Sequence, residues 1–92
     1  MPTEPRERTD QESDVLVQEP AKVILFNDDV HSIDEVVAQV MKALRCTQAK
    51  AEAIALEAHH LGRALVYTGE LLRCVEISNV LEEIRLLTQI EV

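Results

Sequence analysis

Apolar and polar positions alternate along the chain in a way that sets out six elements. Ala21 to Phe26, with Val23, Ile24, Leu25 and Phe26 in succession, is an apolar run too short for a membrane span and reads as a buried strand. Ile33, Val36, Val37, Val40, Met41 and Leu44 follow at i, i+3, i+4, i+7, i+8 and i+11, the stripe of an amphipathic helix. Ser32-x-x-Glu35 spells a capping box at its start: the serine oxygen accepts from a first-turn N–H while the glutamate reaches back to the cap. Arg45 and Cys46 make a tight connection, and Thr47 is placed to N-cap a second helix from about Gln48 to His60. Ala51, Ile54, Ala55 and Ala58 form one thin face of that helix, which lets a neighbour approach its backbone. Gly62 fits the residue just beyond the helix end, where positive φ is needed. Arg63 to Tyr67 predicts a short strand. Thr68-Gly69-Glu70 opens a third helix with Glu70 near its positive end, an inner face of Leu71, Cys74, Ile77, Leu81 and Ile84 beside Val80, and an end near Arg85. Leu86 to Val92 closes the chain as a strand. The order βααβαβ implies a small α+β sandwich, a three-stranded antiparallel sheet packed against three helices.

Residues 1–19 stand apart. Glu4, Glu7, Asp10, Glu12, Asp14 and Glu19 face only Arg6 and Arg8, two prolines interrupt them, and Val15-Leu16-Val17 is the one apolar stretch. This part reads as a flexible acidic extension, with Pro20 at the edge of a single domain over residues 20–92. A core of that size buries roughly 60% of its unfolded surface. With Phe26 and Tyr67 the only aromatics, aliphatic and alanine side chains must build it.

The net charge of −8, from 17 acidic and 9 basic side chains, disfavours nucleic acid and suits a cationic partner or group, or plain solubility. Cys46 and Cys74 lack CxxC spacing and read as reduced, partly buried thiols in a cytoplasmic protein. No apolar run reaches membrane length, and nothing in the sequence calls for an oligomer; a monomer is expected. For catalysis, neither cysteine sits in a nucleophile motif. For a metal, His31, His59, His60, Asp28 and Asp29 offer ligand types, but adjacent His59 and His60 diverge by about 100° on a helix, and HExxH is absent. The two glycines, Gly62 and Gly69, make no phosphate loop. No cofactor is expected.

A bend between the first strand and first helix remains, carrying Asn27, Asp28 and Asp29. Asn and Asp are ordinary turn residues that bond their own backbone, and His59 could be no more than a surface histidine at a helix end. Alternatively an amide (Asn27), a carboxylate (Asp29) and an imidazole (His59) converge as acceptors for one small cation with several N–H donors. A protein's free α-ammonium is such a cation, and its capture is a known mode of peptide recognition.

Lys22-Val-Ile-Leu-Phe-Asn27-Asp28-Asp29, then Glu57-Ala58-His59-His60-Leu61-Gly62-Arg63-Ala64, then Leu86-Leu87-Thr88-Gln89-Ile90-Glu91 resemble the signature blocks of the ClpS adaptor family over Lys22 to Val92. The resemblance implies an adaptor of the bacterial N-end rule. Such adaptors bind proteins that begin with Phe, Tyr, Trp or Leu and hand them to a ClpA- or ClpC-type AAA+ unfoldase for degradation by ClpP. It implies that Asn27, Asp29 and His59, with Asp28 beside them, hold the α-ammonium. His31, Ile33, Val36, Ala55, Ala58 and Leu86 would surround the first side chain, and the acidic extension would serve delivery.

Departures from the family pattern bear on specificity. His31-Ser32-Ile33 stand where Thr-Pro-Met is usual, and Ala55 where a methionine is common. The segment Val66-Tyr67-Thr68-Gly69 is about two residues short, Leu72-Arg73 replace an Ala-Glu pair, and Val75 replaces a docking lysine. Glu70, Arg73 and Val75 are therefore the expected but altered unfoldase contact. The alternatives are a divergent ClpS-like module that docks on an AAA+ ATPase without recognising a chain start, a regulator binding an unrelated helix through its acidic face, and, last, an enzyme.

Overall fold

The computed structural model describes residues 20–92. Its elements are β1 (Ala21–Phe26), α1 (Ile33–Leu44), α2 (Gln48–Leu61), β2 (Arg63–Gly69), α3 (Leu71–Glu82) and β3 (Thr88–Glu91). The acidic extension and its Val15-Leu16-Val17 exception lie outside the described residues. The sheet is antiparallel with β1 in the centre, in the order β2-β1-β3. Central placement accounts for the apolar run of β1. Ala21, Val23 and Leu25 enter the main core at the two-residue period of a strand, and Ile24 is buried on the opposite face. Between Val23 and Ile24 the register against β2 slips by one, because Val23 pairs with Tyr67 and Ile24 with Leu65. The extra residue, Val66, bends β2 and is buried in the core with Ala64.

The helices form as the sequence directs. Ser32 Oγ accepts from the Glu35 N–H at 3.1 Å and the Glu35 carboxylate accepts from the Ser32 N–H at 2.8 Å, so the capping box is complete. Thr47 Oγ1 accepts from the Lys50 N–H and caps α2. Ala51, Ile54, Ala55 and Ala58 are all buried, so α2 lies close against both α1 and β2. Arg45, at φ 55°, turns the chain sharply between α1 and α2.

The third helix departs from expectation at both ends. Gly69 completes β2, two residues beyond the expected Tyr67, and α3 starts at Leu71. Leu71 is 52% exposed and does not belong to the inner face, which consists of Cys74, Ile77, Ser78 and Leu81. The helix stops at Glu82 rather than Arg85. A tighter turn replaces it, with Glu83 N–H donating to the Val80 carbonyl and Arg85 N–H to that of Glu82, and Arg85 then adopts φ 67°. Leu86 is buried as a connection to a β3 shorter than the expected strand from Leu86 to Val92. A buried Gln39, unmarked by the apolar pattern, fixes this turn to α1. Its amide donates to the Val80 carbonyl at 2.6 Å and to Glu83 Oε1 at 3.1 Å, and Lys42 pairs with the same carboxylate at 2.7 Å. The Lys42 hydrogen bond is the main reason the Glu83 carboxyl titrates below its ordinary value.

Candidate functional site

Where β1 ends, its backbone is tied on both sides. Phe26 N–H donates to the Leu87 carbonyl at 3.0 Å, and Asn27 N–H to the Gly62 carbonyl at 2.9 Å. The second bond joins the strand-to-helix bend to the C-terminal turn of α2. Gly62 reaches this position by closing α2 in the left-handed region, φ 90°, with its own N–H on the Ala58 carbonyl. His59 lies one turn before Gly62, so the same contact that positions Asn27 also brings His59 to it.

Between these parts lies an open hollow of about 320 Å³, counted out to its mouth. Asn27, Asp28 and His59 form its polar part. Ile33 and Val36 from α1, Ala55 and Ala58 from α2, and Leu86 from the turn before β3 form the apolar walls, with Leu25 and Phe26 at the strand end. The bend and the end of the second helix therefore face the same hollow.

Three features of the site differ from expectation. Asp29 is exposed and does not line the hollow; the carboxylate that does is that of Asp28. Asp28 Oδ1 accepts the N–H groups of Val30 at 2.9 Å and His31 at 2.8 Å, an Asx turn that fixes the carboxylate inward. His31 is a polar rather than an apolar wall. Its Nδ1 stands 2.7 Å from Asp28 Oδ2 and its Nε2 2.5 Å from the Ile84 carbonyl oxygen. Hydrogen bonds from the His31 backbone N–H and ring hold the Asp28 carboxyl below its ordinary range. The Asp28 side chain in turn raises the His31 imidazole above its ordinary value. Lastly, Leu25, Phe26 and the Ile84 carbonyl join the site without a sequence signal beyond strand character and helix periodicity.

Glu70 precedes α3 at its N-cap position and Arg73 and Val75 lie on the helix, all three away from the hollow. Glu70 is exposed and its side chain makes no cap bond. The Arg73 guanidinium is held by the Ala43 carbonyl at 3.1 Å and Glu76 at 3.4 Å. Val75 is exposed close to the exposed Leu71 and Leu72. Among the described residues no three His, Cys, Asp or Glu side chains gather to hold a metal ion, and no helix is long and apolar enough to cross a membrane. Cys46 and Cys74 are free thiols, the second fully buried.

The family model for the ATP-dependent Clp protease adaptor protein ClpS matches residues 17–85, most of the chain. The chain belongs to the ClpS family. ClpS proteins are adaptors rather than catalysts, which agrees with the absence of a nucleophile motif from the sequence. The fold is that of Agrobacterium tumefaciens ClpS2, solved with L-phenylalaninamide bound, at a TM-score of 0.74 and 20% identity, covering 79% of this chain and 95% of that one. The E3 ubiquitin-protein ligase UBR2 of Homo sapiens is 34% identical over 58 residues, 63% of this chain, and its Mus musculus counterpart matches equally. The matched stretch spans only 3% of the length of those ligases.

Proposed function

We propose that this ClpS-family protein binds the free α-ammonium and bulky apolar side chain at the start of a substrate chain, and delivers that substrate to a ClpA- or ClpC-type unfoldase. The observation that carries the reading is the hollow itself, a polar end of Asn27, Asp28 and His59 directly joined to walls of Ile33, Val36, Ala55, Ala58 and Leu86. An α-ammonium is three donors on a unit charge, and an amide oxygen, a carboxylate and an imidazole nitrogen are its natural acceptors. Charge-assisted hydrogen bonds contribute about 1.5–3 kcal/mol each. Burying a Phe or Leu side chain adds roughly 1.5–3 kcal/mol. Neither half alone suffices for a specific complex; together they select a chain start over any internal Phe or Leu. L-phenylalaninamide, the ligand of the Agrobacterium protein, has this same chemistry of free amine and aromatic side chain.

Of the two neighbouring aspartates, Asp28 takes the ammonium-facing role in this reading, and Asp29 contributes only its charge at longer range. For delivery, Glu70 and Val75 offer an exposed contact on α3 together with Leu71 and Leu72, whereas Arg73 is committed to the α1 terminus. Two measurements separate the halves of the function. Calorimetry with a Phe-initiated peptide reads the hollow, and pull-down with a purified ClpA-type ATPase reads α3. His59→Ala should weaken the first at least tenfold and spare the second. Retention of the pull-down by a protein that binds no peptide would leave a docking module without chain-start recognition.

A further inference from the structure

The ring of His31 stands between two groups that only accept: Asp28 Oδ2, 2.7 Å from Nδ1, and the Ile84 carbonyl oxygen, 2.5 Å from Nε2. A neutral imidazole has one N–H, so it would aim a lone pair at one of these oxygens. The doubly protonated ring satisfies both. The Asp28 carboxylate, fixed by two backbone N–H groups, holds the proton on the ring, and this outweighs the burial of a side chain only 12% exposed, which by itself disfavours the charged form. Glu35, in the first turn of α1, adds further negative potential at the ring. Other charges near the contact are engaged or remote. Glu82 is held by Ser78 and Thr88, Glu83 by Lys42 and Gln39, Arg85 is exposed, and His59 faces the hollow from α2.

We infer that His31 is a built-in cation of the hollow, competing with an incoming α-ammonium for the Asp28 carboxylate, so that loading of a chain start is linked to loss of the His31 proton. The inference rests on the amine-binding reading above and adds a regulatory residue to it. Two like charges sharing one carboxylate disfavour each other, so the ammonium lowers the affinity of His31 for its proton. By reciprocity, removing that proton strengthens binding by the same factor. A neutral His31 keeps only one of its two bonds. If it keeps the one to Asp28, its Nε2 lone pair meets the Ile84 carbonyl and loosens the turn that carries Leu86, a wall of the hollow. With either bond kept, the positive charge that competes for the Asp28 carboxylate is gone.

Affinity for a Phe-initiated peptide should therefore rise with pH through the raised His31 titration, then fall as the peptide amine, near pKa 7.7–8.0, loses its own proton. The direct test is an NMR titration of the imidazole signals in the full-length protein, free and saturated with that peptide. His31 should titrate above 6.5 when free and shift down on loading, and calorimetry in two buffers of different ionisation enthalpy should show proton release. Between pH 6 and 7.5 the wild-type affinity should rise by about threefold or more, and His31→Gln should lose that rise. A His31 that titrates at or below 6.5 in the free protein, or one that does not move while the peptide is bound, overturns the inference. Should His31→Gln not fold, the wild-type titration still decides. Absence of any peptide heat at every pH would instead remove the amine-binding reading and the linkage with it, a result distinct from an unmoved His31.

Discussion

Asp28 and Asp29 are identical side chains on adjacent residues with opposite fates. Strand alternation ends at Phe26, so no simple parity says which aspartate faces the hollow. The decision is made by the Val30 and His31 N–H groups, which turn the Asp28 carboxylate inward. Asp28→Asn and His59→Ala should each weaken a Phe-initiated peptide about ten- to a hundredfold, the cost of one charge-assisted bond, while Asp29→Asn stays within about threefold. Calorimetry on the three variants, each checked by thermal melting, reads this ordering. The residue types at the polar end of the hollow were thus legible in the sequence, but which of the neighbouring acids lines it was not. Nor was the role of His31, because its second partner is a backbone carbonyl 53 positions away. The Asp28–His31 pair also gives stability a pH dependence. The folded His31 value lies above 6.5, so its contribution is complete below 6.5 and is lost as pH rises through the folded value. The folded Asp28 value lies below 3.8, so its contribution is complete above 3.8 and is lost as pH falls through the folded value. The Tm difference between wild type and His31→Gln should be widest at about pH 5–6 and narrow towards about pH 8.

At the scale of elements, the ends of helices decide where the site is. Ser32→Ala removes the serine half of the capping box and should cost about 1 kcal/mol in denaturant unfolding. Gly62→Ala meets no atom within 4 Å, so its cost is purely that of a β-carbon at φ 90°, roughly 1–2 kcal/mol. Because Gly62 also accepts the Asn27 N–H, that variant should bind peptide more weakly as well. An Ala at 62 with wild-type stability would contradict the assignment of this turn. The starts of α1 and α2 and the Gly62 stop were readable because capping chemistry is local. The end of α3 was not, since Ile84 continues the helical spacing. What stops the helix is tertiary, namely Gln39 and Lys42 gripping Val80 and Glu83, and His31 taking the Ile84 carbonyl.

Over the described residues, a three-stranded sheet and a thin alanine helix leave a hollow that is polar at one end and aliphatic along its walls. Ala55 lines the hollow and presents only a methyl group there, which on the proposed reading favours a large ring. A Trp-initiated peptide should accordingly bind at least as well as a Leu-initiated one; a tenfold preference for Leu would contradict this view of the walls. The central claim is that the polar end recognises a free chain start, and it is tested most directly by calorimetry with two peptides that begin with Phe and differ only by acetylation of the α-amine. The free peptide should bind and the acetylated one should be weakened by at least a hundredfold, having lost its charge and left Asp28 and His59 without donors. Equal affinity for the two would contradict the account.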